Sequence, residues 1–129
     1  MKRIAAEWVQ KAEGDFAIMQ RELRARKSPC YDGVCFHAQQ CSEKYLKARL
    51  AQAAIPFTKT HDLVILLEQV LPIEPLWENC RDDLAALTAF AVAYRYPGES
   101  ADREDAKQAA RYCRRFRAAA RNALRLEPK

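Results

Sequence analysis

Phe36-His37-Ala38-Gln39-Gln40-Cys41-Ser42-Glu43-Lys44-Tyr45-Leu46-Lys47 is the run on which the reading of this chain turns. Around it Val34, Ala38, Cys41, Tyr45 and Ala48 recur at alternating steps of four and three, which stacks them as one apolar stripe of a helix. His37, Gln40, Glu43, Lys44 and Lys47 fall mostly off that stripe, so an apolar seam runs beside a dense polar edge. Gln40, Lys44 and Lys47 share a face by spacing, and Glu43 and Lys47 form an i,i+4 pair of opposite charge. Such a helix is expected to meet a partner or to border a polar site.

Working outward, the same periodicity gives four more helices and no strand. Ala5, Trp8, Val9, Ala12, Phe16, Met19 and Leu23 keep to one face of a first helix, which the cations of Arg24 to Lys27 and then Ser28-Pro29 bring to an end. The loop Pro29 to Gly33 leads into the second helix, which runs to Ala53 or Ala54. After the connector Ile55 to Thr58, Thr60 is the expected N-cap of a third helix that buries Leu63, Leu66, Leu67, Val70 and Leu71 and stops at Pro72. A fourth helix carries Leu76, Cys80, Leu84, Leu87, Ala91 and Tyr94 and ends at Tyr96-Pro97-Gly98. Ser100 or Asp102 caps the fifth, whose core stripe is Ala106, Ala109, Ala110, Cys113, Phe116, Ala120 and Leu124. The fold class expected is therefore all-α, an up-and-down bundle of about five helices in a single domain, with short connectors making neighbours antiparallel.

Composition excludes several function classes. At 129 residues the chain is long enough to bury a working core. No apolar run approaches the roughly 20 residues a membrane-spanning helix needs, and no secretory leader is visible at the N-terminus, so a cytoplasmic location is expected. Five cysteines form no C-x-x-C pair and are read as reduced, mostly buried residues. Three glycines cannot build a phosphate-cradling loop, and no zinc spacing, Ser-His-Asp arrangement or paired carboxylates stand out. No catalytic residue, metal or cofactor is expected.

Charge is uneven along the chain. Residues 1 to 99 hold 13 Lys/Arg and 13 Asp/Glu, while residues 100 to 129 hold nine against four, so the whole net charge of +5 lies in the last segment. Arg111, Arg114, Arg117, Arg121 and Arg125 form its expected basic face, either a solvated surface or a contact for RNA or an acidic partner. Arg95, between Tyr94 and Tyr96, reads either as a favourable cation at a helix end or as a phosphate- or partner-contacting residue flanked by ring surfaces. His37 and His61 have no evident acid or nucleophile partner in sequence and read as polar members of a cleft or interface.

The segment Phe-His-Ala-Gln-Gln-x-x-Glu-Lys at residues 36 to 44 resembles the second helix of HEPN domains, small all-helical modules. Lys59-Thr60-His61-Asp62-Leu63 and Tyr94-Arg95-Tyr96-Pro97-Gly98 resemble the same family in order and spacing, and the likeness spans about residues 5 to 125. Many HEPN domains are metal-independent RNases, with an arginine and, about four to six residues later, a histidine near the end of the fourth helix. Here that helix has Arg81 and Arg95 but no histidine. The resemblance therefore implies a non-catalytic binding module rather than an enzyme. It further implies a homodimer partnering a small nucleotidyltransferase in a toxin–antitoxin-like pair, and binding of nucleotide or RNA. The expected contact surface combines His37, Gln40, Glu43, Lys44 and Lys47 with His61, Arg95 and Tyr96. Two alternatives stay open: a divergent RNase using His37 or His61 with Arg95, and a nucleic-acid-binding protein acting through the basic last helix.

Overall fold

Helix α2 (Tyr31–Gln52) forms the axis of the molecule, packed against α1 (Arg3–Arg24), α3 (Leu63–Val70), α4 (Arg81–Ala93) and α5 (Arg103–Ala123). The computed structural model describes residues 1–128, and no strand occurs among them. The all-α expectation holds, and the helix boundaries differ where local chemistry outweighs periodicity. Helix α2 starts within the expected loop, at Tyr31, and α4 is preceded by a 3-10 segment, Pro75–Cys80. Trp77 of that segment is buried edge-on against Phe116 of α5, with ring centroids 5.0 Å apart.

The expected stripe Val34, Ala38, Cys41, Tyr45 and Ala48 is fully buried. So are residues well off it: Cys35, Leu46 and Leu50 are fully buried, and Gln39, Ser42 and Glu43 nearly so. With neighbours on several sides, α2 is not the one-faced helix its stripe suggests, and its polar side chains must find partners inside the protein.

Side-chain pairs fix the helix directions. Lys44 and His37 meet Asp15, Tyr45 meets Glu13, and the Lys2 amide donates to Gln52 Oε1 at 2.7 Å, so α1 runs antiparallel to α2. Asp32 accepts from the Ala101 amide and Tyr45 from Arg121, so α5 runs parallel to α2. The α2–α3 pair departs from the antiparallel expectation. Phe57 lies under Lys47 and His61 lies at Glu43, so the connector itself travels back along α2. Helix α3 then follows α2's direction, and Glu74 beyond it bonds Arg49 at 2.7 Å.

A polar clasp closes the α1–α2–α5 layer. Arg117 donates two parallel bonds of 2.7 Å to the Glu13 carboxylate. Tyr45 donates to the same carboxylate and accepts from Arg121 Nη1 at 3.0 Å. Arg117 and Arg121 are each only 8% exposed, so Glu13 is the counter-charge that makes burying two guanidinium groups tolerable. This corrects the expected basic face of α5: Arg117 and Arg121 turn inward, leaving Arg111, Arg114 and Arg125 on the surface. The Glu13→Gln variant keeps the shape and removes the charge. Urea unfolding at neutral pH is expected to show it less stable by about 2–4 kcal/mol, and a loss below about 0.5 kcal/mol would mean the clasp is decorative.

Candidate functional site

The segment after the returning connector is held by α2 and α4 together. Asp62, not Thr60, caps α3: its Oδ1 accepts from the Val64 amide at 2.9 Å, while Thr60 Oγ1 accepts from the Asp62 amide at 3.0 Å. The Leu63 amide donates to Thr88 Oγ1 of α4 at 3.1 Å. From α2, Gln39 Nε2 donates to the His61 carbonyl at 2.8 Å, and Glu43 Oε1 lies 2.9 Å from His61 Nδ1. The imidazole is therefore oriented at one nitrogen while its side chain stays 72% exposed.

Glu43 is the hub of this arrangement. Besides His61 it bonds Lys47 Nζ at 2.9 Å and receives Gln39 Nε2 at 3.2 Å, and Gln40 Nε2 donates to Gln39 Oε1 at 2.8 Å. The Lys47 ammonium also lies 5.3 Å from the Trp8 ring centroid and 5.8 Å from that of Phe57. Burial pushes the Glu43 carboxyl up, but the hydrogen bonds from Lys47 and His61 outweigh it and hold the group below its ordinary value of 4.5. A carboxylate held low stabilises the fold above its unfolded value and loses that contribution as pH falls through the folded one. Glu43→Gln is expected to lose about 3 kcal/mol near neutral pH, with Lys47 left buried and uncompensated. Wild-type and variant stabilities should converge as pH falls below 4.5 and through the lower folded value, where Glu43 itself takes up a proton. Parallel urea titrations that stay separated in acid contradict this reading.

Arg95 lies just past α4, which ends at Ala93 rather than at Tyr96. Tyr94 is the half-buried C-cap, stacked on Phe90 at 6.0 Å and donating to Asp105 Oδ2 at 2.9 Å. Burial and the Asp105 carboxylate push its hydroxyl up to about 12. Asp105 belongs to the capping box of α5 with Asp102, so the two helix ends are tied. Gly98, at φ 101°, makes the turn between them in a conformation that favours glycine. Arg95 thus projects from a fixed junction. It lines a pocket of about 210 Å³ with the polar side chains of Gln39, His61, Asp62 and Thr88 and the apolar ones of Ala91 and Val92. It also borders a hollow of about 250 Å³ walled by Phe36, Phe90 and Tyr94. A cation with an imidazole and a hydroxyl on one side, and aromatic surface on the other, suits a phosphate and a stacked ring.

The expected contact residues divide into three groups. His61 and Arg95 share the pocket, and Tyr96, 64% exposed, lies next to Arg95 in the chain. Gln40, Glu43 and Lys47 form the internal network that holds His61. His37 and Lys44 belong elsewhere: both grip the buried Asp15 of α1, at 2.7 and 2.6 Å. Sequence reasoning missed Gln39, Asp62 and Thr88 in the pocket, and Glu13 and Asp15 as the acids of α1 that meet α2 and α5. Asp15 carried a signal, standing three residues after Ala12 and four before Met19, a carboxylate on an apolar stripe. Among the described residues, no group of His, Cys, Asp and Glu is placed to hold a metal ion, and no helix is long and apolar enough to cross a membrane.

A family model described as "HEPN domain" matches residues 5–123. Among solved structures, the fold is similar to the crystal structure of TT1696 from Thermus thermophilus, with a TM-score of 0.78 and 23% identity over 95% of this chain and 99% of that one. No curated protein matches the sequence.

Proposed function

We propose, for a chain that belongs to the HEPN domain family, a non-catalytic module that binds nucleotide or RNA through the pocket of Arg95 and His61. The observation that carries the reading is the convergence of these two residues, distant in sequence, on one pocket beside an aromatic hollow. Arg95 supplies a forked donor for a phosphate, and His61, oriented by Glu43, offers its outer nitrogen. Phe36 and Tyr94 offer ring surface for a base. A binding role is favoured over catalysis because the family's arginine-then-histidine spacing in the fourth helix is missing.

Self-association fits the same region. Phe36, Val92 and Tyr96 are exposed large hydrophobic residues, and Phe36 and Val92 rim the two hollows that Arg95 borders. A homodimer through this face would put two such pockets side by side, with a small nucleotidyltransferase as the companion protein of a toxin–antitoxin-like pair. The second reading, a divergent RNase, draws on one observation, that His61 and Arg95 line one pocket although the usual spacing is missing.

Calorimetric titration with a nucleoside monophosphate and a short RNA tests the main reading. Arg95→Ala is expected to weaken binding about 10- to 100-fold, the loss of one charge-assisted bond pair, without altering the melting temperature. RNA incubated with wild type should stay intact. Cleavage lost in both Arg95→Ala and His61→Ala would replace binding with the RNase reading, and equal affinity of wild type and Arg95→Ala would remove the pocket from the account.

A further inference from the structure

We propose a second nucleic-acid contact, separate from the Arg95 pocket: an arginine-rich track that crosses from α5 to the end of α1. It rests on geometry of its own. Lys107, Arg111 and Arg114 are exposed at steps of four and three along α5 and line a hollow of about 330 Å³ against Leu23 of α1. Leu23 also borders a wider hollow of about 750 Å³ lined by Arg24, Arg26 and Arg103. Leu23 is a wall of both hollows, and no carboxylate lines either one among the described residues. None of the residues that line them lines the Arg95 pocket or its aromatic neighbour.

These cations differ from the others of α5. Arg117 is bound to Glu13 and Arg115 to Asp83, at 2.7 and 2.9 Å. Among the described residues, Arg24, Arg26, Arg103, Lys107, Arg111 and Arg114 form no ion pair. Helix stability accounts for only part of the cluster, since Arg24 lies in the last turn of α1, where a cation is favourable. Arg103 opens α5 at the positive end of the dipole, where a cation is unfavourable. The like charges repel one another as well. Unpaired cations gathered on one surface with no acid lining it point to an anion that binds there.

The phosphate backbone of nucleic acid fits best. Five of these six cations are arginines, whose forks match phosphate oxygens. From Lys107 to Arg114 the helix rises about 10 Å, enough for its cations to meet more than one phosphate of a strand. The large apolar and aromatic residues that line the hollows, Leu23 and Tyr31, are both half-buried, so the track offers no fully exposed apolar side chain to insert into lipid or to anchor a protein interface.

Fluorescence anisotropy with labelled RNA of about 20 nucleotides, single-stranded and as a duplex, tests the proposal. The triple variant Lys107→Glu, Arg111→Glu, Arg114→Glu is compared with Arg3→Glu, Lys11→Glu, Arg125→Glu, which makes the same change in net charge off the track. The expected result is a loss of at least about 30-fold for the first variant, with a salt dependence shallower by about two to three ions, and a change within about threefold for the second. Far-ultraviolet circular dichroism melts check that both variants fold. Arg95→Ala should retain most affinity for the long RNA, and the triple track variant should retain nucleoside monophosphate binding, so the two sites fail or stand separately. Equal losses in the two triple variants overturn the track. So does displacement of RNA by polyglutamate, or binding to phosphatidylglycerol vesicles, at matched charge concentration.

Discussion

The arrangement depends on one constraint: the helix at the centre of the bundle is rich in polar side chains and has little solvent to give them. Gln39, Ser42, Glu43 and Lys47 of α2 are all at least nine-tenths buried. Among the described residues no buried side-chain nitrogen or oxygen is left without a hydrogen-bond partner. A charged group in such a place costs several kcal/mol unless it is matched, so each partner is specified rather than optional. Some partners lie on α2 itself, as for Ser42 and Lys47, and the others come from neighbouring segments. Asp15 and Glu13 lock the register of α1, Arg121 that of α5, and the His61 carbonyl and ring lock the segment before α3.

The proposed function rests on where those locks lie. The connector after α2 returns along it, and Gln39 and Glu43 halt it with His61 facing outward beside the end of α4. Asp105 holds the same helix end from the other side through Tyr94. Arg95 and His61 therefore meet across a pocket although 34 positions separate them in the chain. In the proposed binding role, preorganisation of this kind would lower the ordering cost at His61, whose ring is already held by Glu43. The same logic separates the arginines of α5. Those matched by acids hold the bundle together, and those left unmatched are available to something outside it.

Much of this was legible in the sequence, and the limits are physical. Five helices, their order and the α2 stripe followed from period alone, since Val34, Ala38, Cys41, Tyr45 and Ala48 need only one buried face to be recognised. The resemblance carried by residues 36 to 44 pointed to the family that the match over residues 5–123 establishes. Periodicity gives an angle around a helix but not the number of neighbours, so Glu43 and Lys47 looked like an outward edge when they are inward. Arg117, four residues past Cys113, and Arg121, four further on, lie beside the core stripe as readily as on a basic face. Only the acid at Glu13, more than a hundred positions away, decides which side they take. The pocket was half visible: His61 and Arg95 were singled out, while Gln39 and Thr88, with no unusual chemistry of their own, became significant only once the chain had returned.

The central claim is that buried polar groups of α2 hold the His61 segment in place. Hydrogen–deuterium exchange of the wild type and a Gln39→Leu variant measures this directly, since the variant removes the bond to the His61 carbonyl and leaves the apolar core intact. Faster exchange confined to residues 59 to 64, with α1 and α5 as protected as before, is the predicted result. Unchanged protection there, or a uniform rise across all five helices, would contradict it.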